Sequence, residues 1–360
     1  MSQIINVNLD QSYNINISYN DLSDLSNFLK NSSFVNRLFI ISDANVCRLH
    51  LKTLLNYIEK SNFSYSIYCF EPGEKSKSKE VLFDIYDFLI ESKADRKTPL
   101  VAFGGGVVGD VASFAASTFM RGMPLIHIPT TVVSQTDSSI GGKTAINHPK
   151  GKNLIGTFYQ PNAVFIDTKF LDTLSDEEFF DAFSEIIKYG IIMDRQLFRF
   201  IEEHIGDILK RDNKAIQKLV YDCAKDKSLI VQKDEKEANL RAILNFGHTL
   251  GHAIEAFFEY KKYTHPQAVS IGEVFAARLS YKLGLIDEQT FIRIKNLLEK
   301  FRLPTKIDNI DPSLLIEIMQ RDKKAKGSIL EFVLTKGIGE VIIANDVKHS
   351  LLIETIRELQ

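Results

Sequence analysis

Residues 241–252 read Arg-Ala-Ile-Leu-Asn-Phe-Gly-His-Thr-Leu-Gly-His. His248 and His252 stand four apart in a segment that reads as helix, so they share one face. Two imidazoles on one face make half of a metal site or a proton relay. Arg241 and Asn245 precede His248 by seven and three positions and are expected on the same stripe. A cation, an amide and two imidazoles suit a charged, oxygen-rich ligand better than a core. A histidine pair at this spacing also occurs on solvated helices that bind nothing, so the remaining ligands must come from elsewhere. The pattern is not the His-Glu-x-x-His of metalloproteases, because Thr249 follows His248.

A second concentration of chemistry lies earlier. Gly104-Gly105-Gly106 follows a β-rich run and precedes a small-residue helix. Such a turn lets the backbone approach a pyrophosphate, and the helix N-terminus supplies unpaired N–H groups. Asp43 ends an earlier strand, where a carboxylate can hold a ribose hydroxyl, and Glu74 and Lys77 follow the next. Residues 129–153 are crowded with hydroxyls, glycines and the lysines Lys143, Lys150 and Lys152, with little apolar periodicity. A segment of this length without structure of its own is usually functional or disordered, and its Gly and Lys content favours anion binding. It is not a Walker A loop, because Asp137 stands where the first glycine is required.

The elements that must hold these groups follow from periodicity. Strands are expected at Arg37–Asp43, 65–70, 99–103, 124–128 and Ala163–Asp167, with helices at 46–60, Lys79–Glu91 and 107–119 between them. This alternation predicts a Rossmann-like parallel sheet covered by helices. At Ser175-Asp176-Glu177-Glu178 a capping-box pattern opens a helix, and helical periodicity then runs to about residue 303. A late hairpin is expected, with strands at 329–334 and Glu340–Ala344. The division is placed at 174: an α/β domain over 1–174, then a mainly α-helical domain over 175–360.

Composition bounds the partners. The chain has 360 residues, 44% hydrophobic and 25% charged, with a formal net charge of −2. Nothing in that balance points to nucleic acid or an anionic membrane, and no apolar run is long enough to span one. Three scattered cysteines, Cys47, Cys69 and Cys223, show no C-x-x-C spacing, which argues against a disulfide framework and fits a reducing cytoplasm.

Taken together, the segments GGGVVGDVASFAAS, MRG, PTT, SQTDSSIGGKTAINHPKGKNLIGTFYQP, SEIIKYG, DEKEANLRAILNFGHTLGHAIEA and DKK closely resemble the 3-dehydroquinate synthase family of sugar-phosphate cyclases. The match runs from about Asp43 to Lys324. The resemblance implies an NAD-binding first domain, a helical metal-binding second domain, a bound Zn²⁺ or Co²⁺ and a homodimer. The implied metal ligands are Glu185, His248 and His265, which returns His252 to the substrate. Implied NAD contacts are Asp43, Asn45, Glu74, Lys77, Gly105, Gly106, Val107 and Asp110, then Thr130, Thr131, Phe170 and Thr173, with Lys143 and Lys152 also within reach. Around the substrate phosphate it implies Lys143, Lys152, Asn153, Asn245, His252 and one of Lys323 and Lys324, with Arg121 reaching in from the neighbouring subunit. Lys227 and Arg241 would bind the substrate carboxylate, and Asp137 and Lys188 would stand near the hydroxyls that change oxidation state. The implied reaction converts 3-deoxy-D-arabino-heptulosonate 7-phosphate to 3-dehydroquinate and phosphate.

The chain departs from the family's usual pattern around two ligands. His-Gly-Glu-Ala-Val becomes His265-Pro266-Gln267-Ala268-Val269, Ile-Gly-Met becomes Ile271-Gly272-Glu273, and Ser-Gly-Leu-Ala-Glu becomes Asp181-Ala182-Phe183-Ser184-Glu185. Every implied ligand survives, while the residues beside them do not. The rival readings are a 2-deoxy-scyllo-inosose or valiolone-type synthase, a metal-dependent polyol dehydrogenase, and a non-catalytic relative. Lys227 and Arg241 favour a carboxylate-bearing substrate over the first, the phosphate-binding lysines disfavour the second, and the intact ligand set disfavours the third.

Overall fold

The computed structural model describes residues 2–237, 240–325 and 330–360, with side chains left out for 322–325. Two compact units emerge: Met1–Leu174 together with Asn213–Lys236, and Ser175–Asp212 together with Glu237–Gln360.

The first unit is built on a seven-stranded sheet. Its strands are β1 (Gln3–Val7), β2 (Tyr13–Ser18), β3 (Arg37–Asp43), β4 (Ser64–Phe70), β5 (Leu100–Gly104), β6 (Leu125–Pro129) and, after a small hairpin of β7 (Ile146–His148) and β8 (Gly151–Ile155), β9 (Ala163–Asp167). The order is β1-β2-β9-β6-β5-β3-β4, parallel except for the β1–β2 pair. β5, β6 and β9 are buried at every residue, as continuous apolar runs in a doubly covered parallel sheet must be. Successive side chains serve opposite faces. Phe39 and Ile41 join one core with the helices that follow β4 and β5, while Leu38 and Ile40 join the other with the helices that follow β2 and β3. These helices are α1 (Ser23–Asn31), α2 (Ala44–Glu59), α3 (Lys79–Glu91) and α4 (Gly106–Thr118). Asp43 caps α2 by accepting from the Val46 N–H at 3.0 Å, and Ser78 caps α3 through Val81.

The second unit is mostly helical. It holds α5 (Asp176–Asp181), α6 (Phe183–Ile192), α7 (Arg195–Glu203) and α8 (Ile205–Leu209). After α9 (Asn213–Lys233), which belongs to the first unit, come α10 (His248–Phe257), α11 (His265–Lys282), α12 (Glu288–Lys300), α13 (Pro312–Ala325) and α14 (His349–Arg357). The capping box at Ser175 is present, with Glu178 as its reciprocal partner. A hairpin of β10 (Phe332–Gly337) and β11 (Glu340–Ala344) completes it; Ile329, expected at the start of this hairpin, lies outside the described residues.

The structure departs from the sequence reading in several places. The division at 174 assigned all later residues to the helical half, but α9 packs on β1, β2 and the turn at Ser134–Ser138. Gln232 accepts from the Asn8 N–H at 2.9 Å, and Lys227 pairs with Asp137. Helical periodicity shows that a face is buried, not which unit buries it. The N-terminal β1–β2 hairpin was not anticipated. Residues 129–153 are not a plain loop: they form a π-helical turn at Ser134–Ser138 and the β7–β8 hairpin. Finally, Cys47 and Cys69 form a disulfide. The β3–α2–β4 crossover brings the first turn of α2 beside β4, a proximity that a sequence separation of 22 does not reveal. Cys223 is buried and free. No described helix is long and apolar enough to cross a membrane.

His127 on β6 gives the sheet a pH response. It is buried, it meets Ser113 Oγ at 3.0 Å, and burial pushes its pKa down to about 4. Between that value and about 6.5 the unfolded chain binds the extra proton, so stability falls as pH drops through this window. We expect His127→Gln to reduce the loss between pH 7 and pH 4.5 by about 2 kcal/mol. Denaturant unfolding at both pH values measures it, and an unchanged loss would remove His127 from the account.

Candidate active site

In the first unit, leaving aside the N-terminal β1–β2 hairpin, the order β4-β3-β5-β6-β9 reverses direction between β3 and β5. Ligands of open α/β sheets sit beyond the carboxyl ends of the strands at such a switch point. Ser42 is in register with Phe103, so Asp43 ends its strand beside Gly104-Gly105-Gly106. Gly105 is the N-cap of α4. A Cβ on Gly104 would lie 2.5 Å from a Val108 methyl, so only glycine lets α4 begin so close to the strand. Thr130 donates its N–H to the Gly104 carbonyl at 3.0 Å. Its buried Oγ1 has no hydrogen-bond partner among the described residues, which fits a polar ligand at this turn.

Other nucleotide candidates cluster nearby in the chain's own contacts. Lys77 pairs with Asp110, and Glu74 accepts from Asn147 at 2.7 Å. Burial raises the Asp110 pKa while Lys77 opposes it. Thr131 is held by Ser134 at 2.9 Å. Asn45 is exposed at the start of α2, and Val107 lies in the first turn of α4. Thr173 meets His50 at 2.8 Å. The Phe170 ring packs in the core against His50 and Phe103, which leaves its backbone as the group a ligand would meet.

The polar stretch after β6 is anchored rather than loose. Gln135 donates to the carbonyls of Pro129 and Asp167, which fixes the π turn that carries Asp137. Lys143 is exposed and its backbone bridges Phe158. Lys152 and Asn153 lie on β8, where Asn153 adopts φ 57° and donates its N–H to Asn147. Arg121 is exposed in a left-handed turn with Met120.

In the second unit, the continuous helix expected through 241–252 does not exist. Leu240–Asn245 is a 3₁₀ turn, Gly247 is left-handed at φ 79°, and α10 starts at His248. Arg241 is fully buried and Asn245 exposed, so they do not share the histidine face.

Glu185, on buried α6, brings three ligand atoms together with His248 and His265, all within 4.8 Å of one another. Its Oε1 stands 3.6 Å from His248 Nε2 and 3.9 Å from His265 Nε2. These are too long for hydrogen bonds and close to the roughly 3.4 Å that separates ligands of one tetrahedral zinc. Both rings are oriented for it. His248 Nδ1 meets the Phe246 carbonyl at 3.0 Å, and His265 Nδ1 meets Glu255 Oε2 at 2.9 Å. Each Nε2 is thereby aimed at Glu185. Burial, then the nearby Lys188 charge, pushes the His248 pKa down to about 3, so this imidazole is neutral and ready to ligate. Burial opposes charging His265, but the hydrogen bond it donates to Glu255 and the charges of Glu185 and Glu255 raise its pKa overall. Lys188 pairs with the second oxygen of Glu185. The donor set fits a divalent metal with open coordination positions.

His252 lies one turn beyond His248, with ring centroids 5.4 Å apart, and is not part of this triad. The side chains of Lys323 and Lys324 lie outside the described residues. Sequence reasoning missed Glu255. The available signal was its position three residues after His252, on the same helical face.

The departures from the family pattern find partners in each other. Thr264 caps α11 and Gln267 closes its capping box, with Pro266 in the first turn, where a missing N–H costs no helical bond. Gln267 Nε2 donates to both oxygens of Asp181, at 3.2 and 3.0 Å, and Thr264 donates to Asp181 at 2.8 Å. A glutamate at 267 would face Asp181 as a like charge, whereas the amide donates to it. Glu273 has no such answer. It is fully buried, both oxygens lack partners among the described residues, and burial holds its pKa well above the usual range.

Comparison with known proteins gives a consistent result. A family profile described as 3-dehydroquinate synthase N-terminal matches residues 67–181, and one described as 3-dehydroquinate synthase C-terminal matches 182–325. A 3-dehydroquinate synthase of Prochlorococcus marinus (strain MIT 9515) is 46% identical over 316 residues, 87% of each chain. Among solved structures, 2-deoxy-scyllo-inosose synthase with carbaglucose-6-phosphate, NAD⁺ and Co²⁺ superposes with TM-score 0.89 at 28% identity, covering 100% of both chains. The 2-epi-5-epi-valiolone synthase of Streptomyces hygroscopicus subsp. jinggangensis 5008, with NAD⁺ and Zn²⁺, gives TM-score 0.86 at 25% identity over 96% of both chains.

Two outcomes test this site. Gln267→Glu should weaken metal affinity about tenfold by loosening the start of α11, and adding Asp181→Ser should restore most of it. Chelator competition on the single and double variants measures the coupling, and additive effects would refute the pairing. Glu273→Met should stabilise the metal-free protein by about 1–3 kcal/mol, the cost of an unsatisfied buried polar group. Thermal unfolding reads this, and a destabilised variant would show that Glu273 has a partner in solution.

Proposed function

The chain belongs to the 3-dehydroquinate synthase family, and from that premise we propose that it converts 3-deoxy-D-arabino-heptulosonate 7-phosphate to 3-dehydroquinate and phosphate. The observation that carries this reading is the Glu185–His248–His265 triad, with both histidine Nδ1 atoms anchored and both Nε2 atoms turned to one carboxylate oxygen.

NAD⁺ would accept a hydride from the substrate C5 carbon and later return it, and a divalent metal, Zn²⁺ or Co²⁺, would polarise the C5 oxygen. The chain's residues do the rest. Glu185, His248 and His265 would hold the metal in the second unit. In the first unit, the glycine turn, Asp43 and Thr130 hold the nucleotide at the switch point. Lys143, Lys152 and Asn153 serve the substrate phosphate, which takes up the C6 proton as it leaves; fixing the phosphate in place supplies the orientation this step needs. The buried guanidinium of Arg241 suits the planar carboxylate of the substrate. Lys188, which pairs with Glu185, and Asp137, which pairs with Lys227, would steer protons at the reacting hydroxyls. Ring opening and aldol closure complete the reaction with no net redox change.

A homodimer belongs to the same reading. Phe83 and Ile90 on α3 are 63% and 62% exposed, and Tyr86 links Phe83 to Phe119, next to the Met120–Arg121 turn. An apolar surface of this kind suits burial against a second copy. Arg121 would then serve the neighbouring active site.

The test combines purified protein with the heptulosonate phosphate, a trace of NAD⁺ and Zn²⁺. Phosphate and dehydroquinate should form in equal amounts without net NADH, and a chelator should stop both. NADH accumulation without phosphate release would point instead to a dehydrogenase.

A further inference from the structure

His265 is engaged on both edges of its ring. Its Nε2 is turned toward Glu185 Oε1 at 3.9 Å, and its Nδ1 meets Glu255 Oε2 at 2.9 Å. Beyond Glu255 stands a further imidazole. His252 and Glu255 are three apart on α10 and therefore share a face. The His252 ring lies nearly parallel to that of His265, 28° between planes and 5.8 Å between centroids. One ligand atom from each of His252, Glu255 and His265 lies within 4.8 Å of the others. We propose that these three residues form a second divalent-cation site, separate from the triad and weaker than it.

The chemistry is that of the first site repeated: two imidazoles and one carboxylate, a set that suits zinc and its borderline neighbours. Two features separate the sites in strength. The second cation must displace the existing bond between His265 Nδ1 and Glu255, its proton passing to solvent. Having lost that proton, His265 bridges the two ions as an imidazolate, and the two dications repel across the ring. Two features keep it accessible. His252 and His265 are both exposed, while Glu255 between them in the cluster is buried. The assignment of His252 to the substrate, which rests on the proposed function, adds a consequence: a cation there removes a substrate ligand and slows the enzyme. The site itself does not depend on that assignment.

Equilibrium dialysis of the metal-free protein against zinc, with zinc per chain measured by mass spectrometry, tests the inference. Two ions per chain are expected, the second bound about a hundredfold or more weaker than the first. His252→Gln should bind one ion with the tight affinity retained. His349→Gln, which alters an exposed histidine far along the chain on α14, should still bind two. One ion at every zinc concentration would overturn the proposal, as would a second ion that persists in His252→Gln. The synthase assay separates the two readings. Activity that rises with the first ion and falls as the second loads supports inhibition through His252. A second ion that loads without any loss of activity would overturn the inhibitory consequence. If the reaction itself is absent, the stoichiometry still decides the site.

Discussion

The Glu185–His248–His265 triad depends on how closely two helices approach. A Cβ on Gly272 of α11 would stand 1.9 Å from the Gly247 carbonyl oxygen, an overlap no side chain could relieve. Gly247 is itself left-handed, which turns the chain sharply enough to start α10 at His248. Backbone therefore meets backbone where the two histidine-bearing helices cross. That contact fixes His248 at the first position of α10 relative to α11, which opens at His265. Neither imidazole is positioned by a long, adaptable chain of side-chain contacts.

Charge balance around Glu185 follows from that packing. Its carboxylate is buried and serves two masters: Oε2 pairs with Lys188, and Oε1 faces two imidazole nitrogens. Lys188 keeps the anion tolerable in an apolar setting, since an unpaired buried carboxylate would be costly. The depressed pKa of His248 has the same origin, because burial and the Lys188 cation both oppose a second positive charge. The site is thus set to accept a dication without first expelling a proton from His248. Glu273 sits against the same crossing, its Cγ 2.6 Å from where a Cβ of Gly247 would be, and adds a buried acid with no described partner. For this departure the structure offers no compensation among the described residues.

Much of this was legible in the sequence for stated reasons. The continuous apolar runs of β5, β6 and β9 mark central parallel strands, and the Ser175 capping box marks where the helical part starts. The triad was legible only through resemblance, since Glu185 and His265 lie 63 and 17 residues from His248 and no local spacing joins them. Other features lay beyond local reading. Asp181 and Gln267 look like unrelated departures until α5 and α11 bring them into hydrogen-bonding range. The anchoring of His265 by Glu255 crosses between helices, and Cys47 meets Cys69 only because α2 folds back over the strands. The β1–β2 hairpin was readable, since Tyr13, Ile15 and Ile17 alternate with Asn14 and Asn16.

The central claim is that one carboxylate and two imidazoles, pre-oriented by their own hydrogen bonds, hold the catalytic metal. Anomalous diffraction at the zinc edge, on crystals grown with one equivalent of zinc and NAD⁺, tests it most directly. The account predicts a single strong peak about 2.0–2.2 Å from Glu185, His248 Nε2 and His265 Nε2. A peak elsewhere at one equivalent, or none within bonding distance of all three, would contradict it.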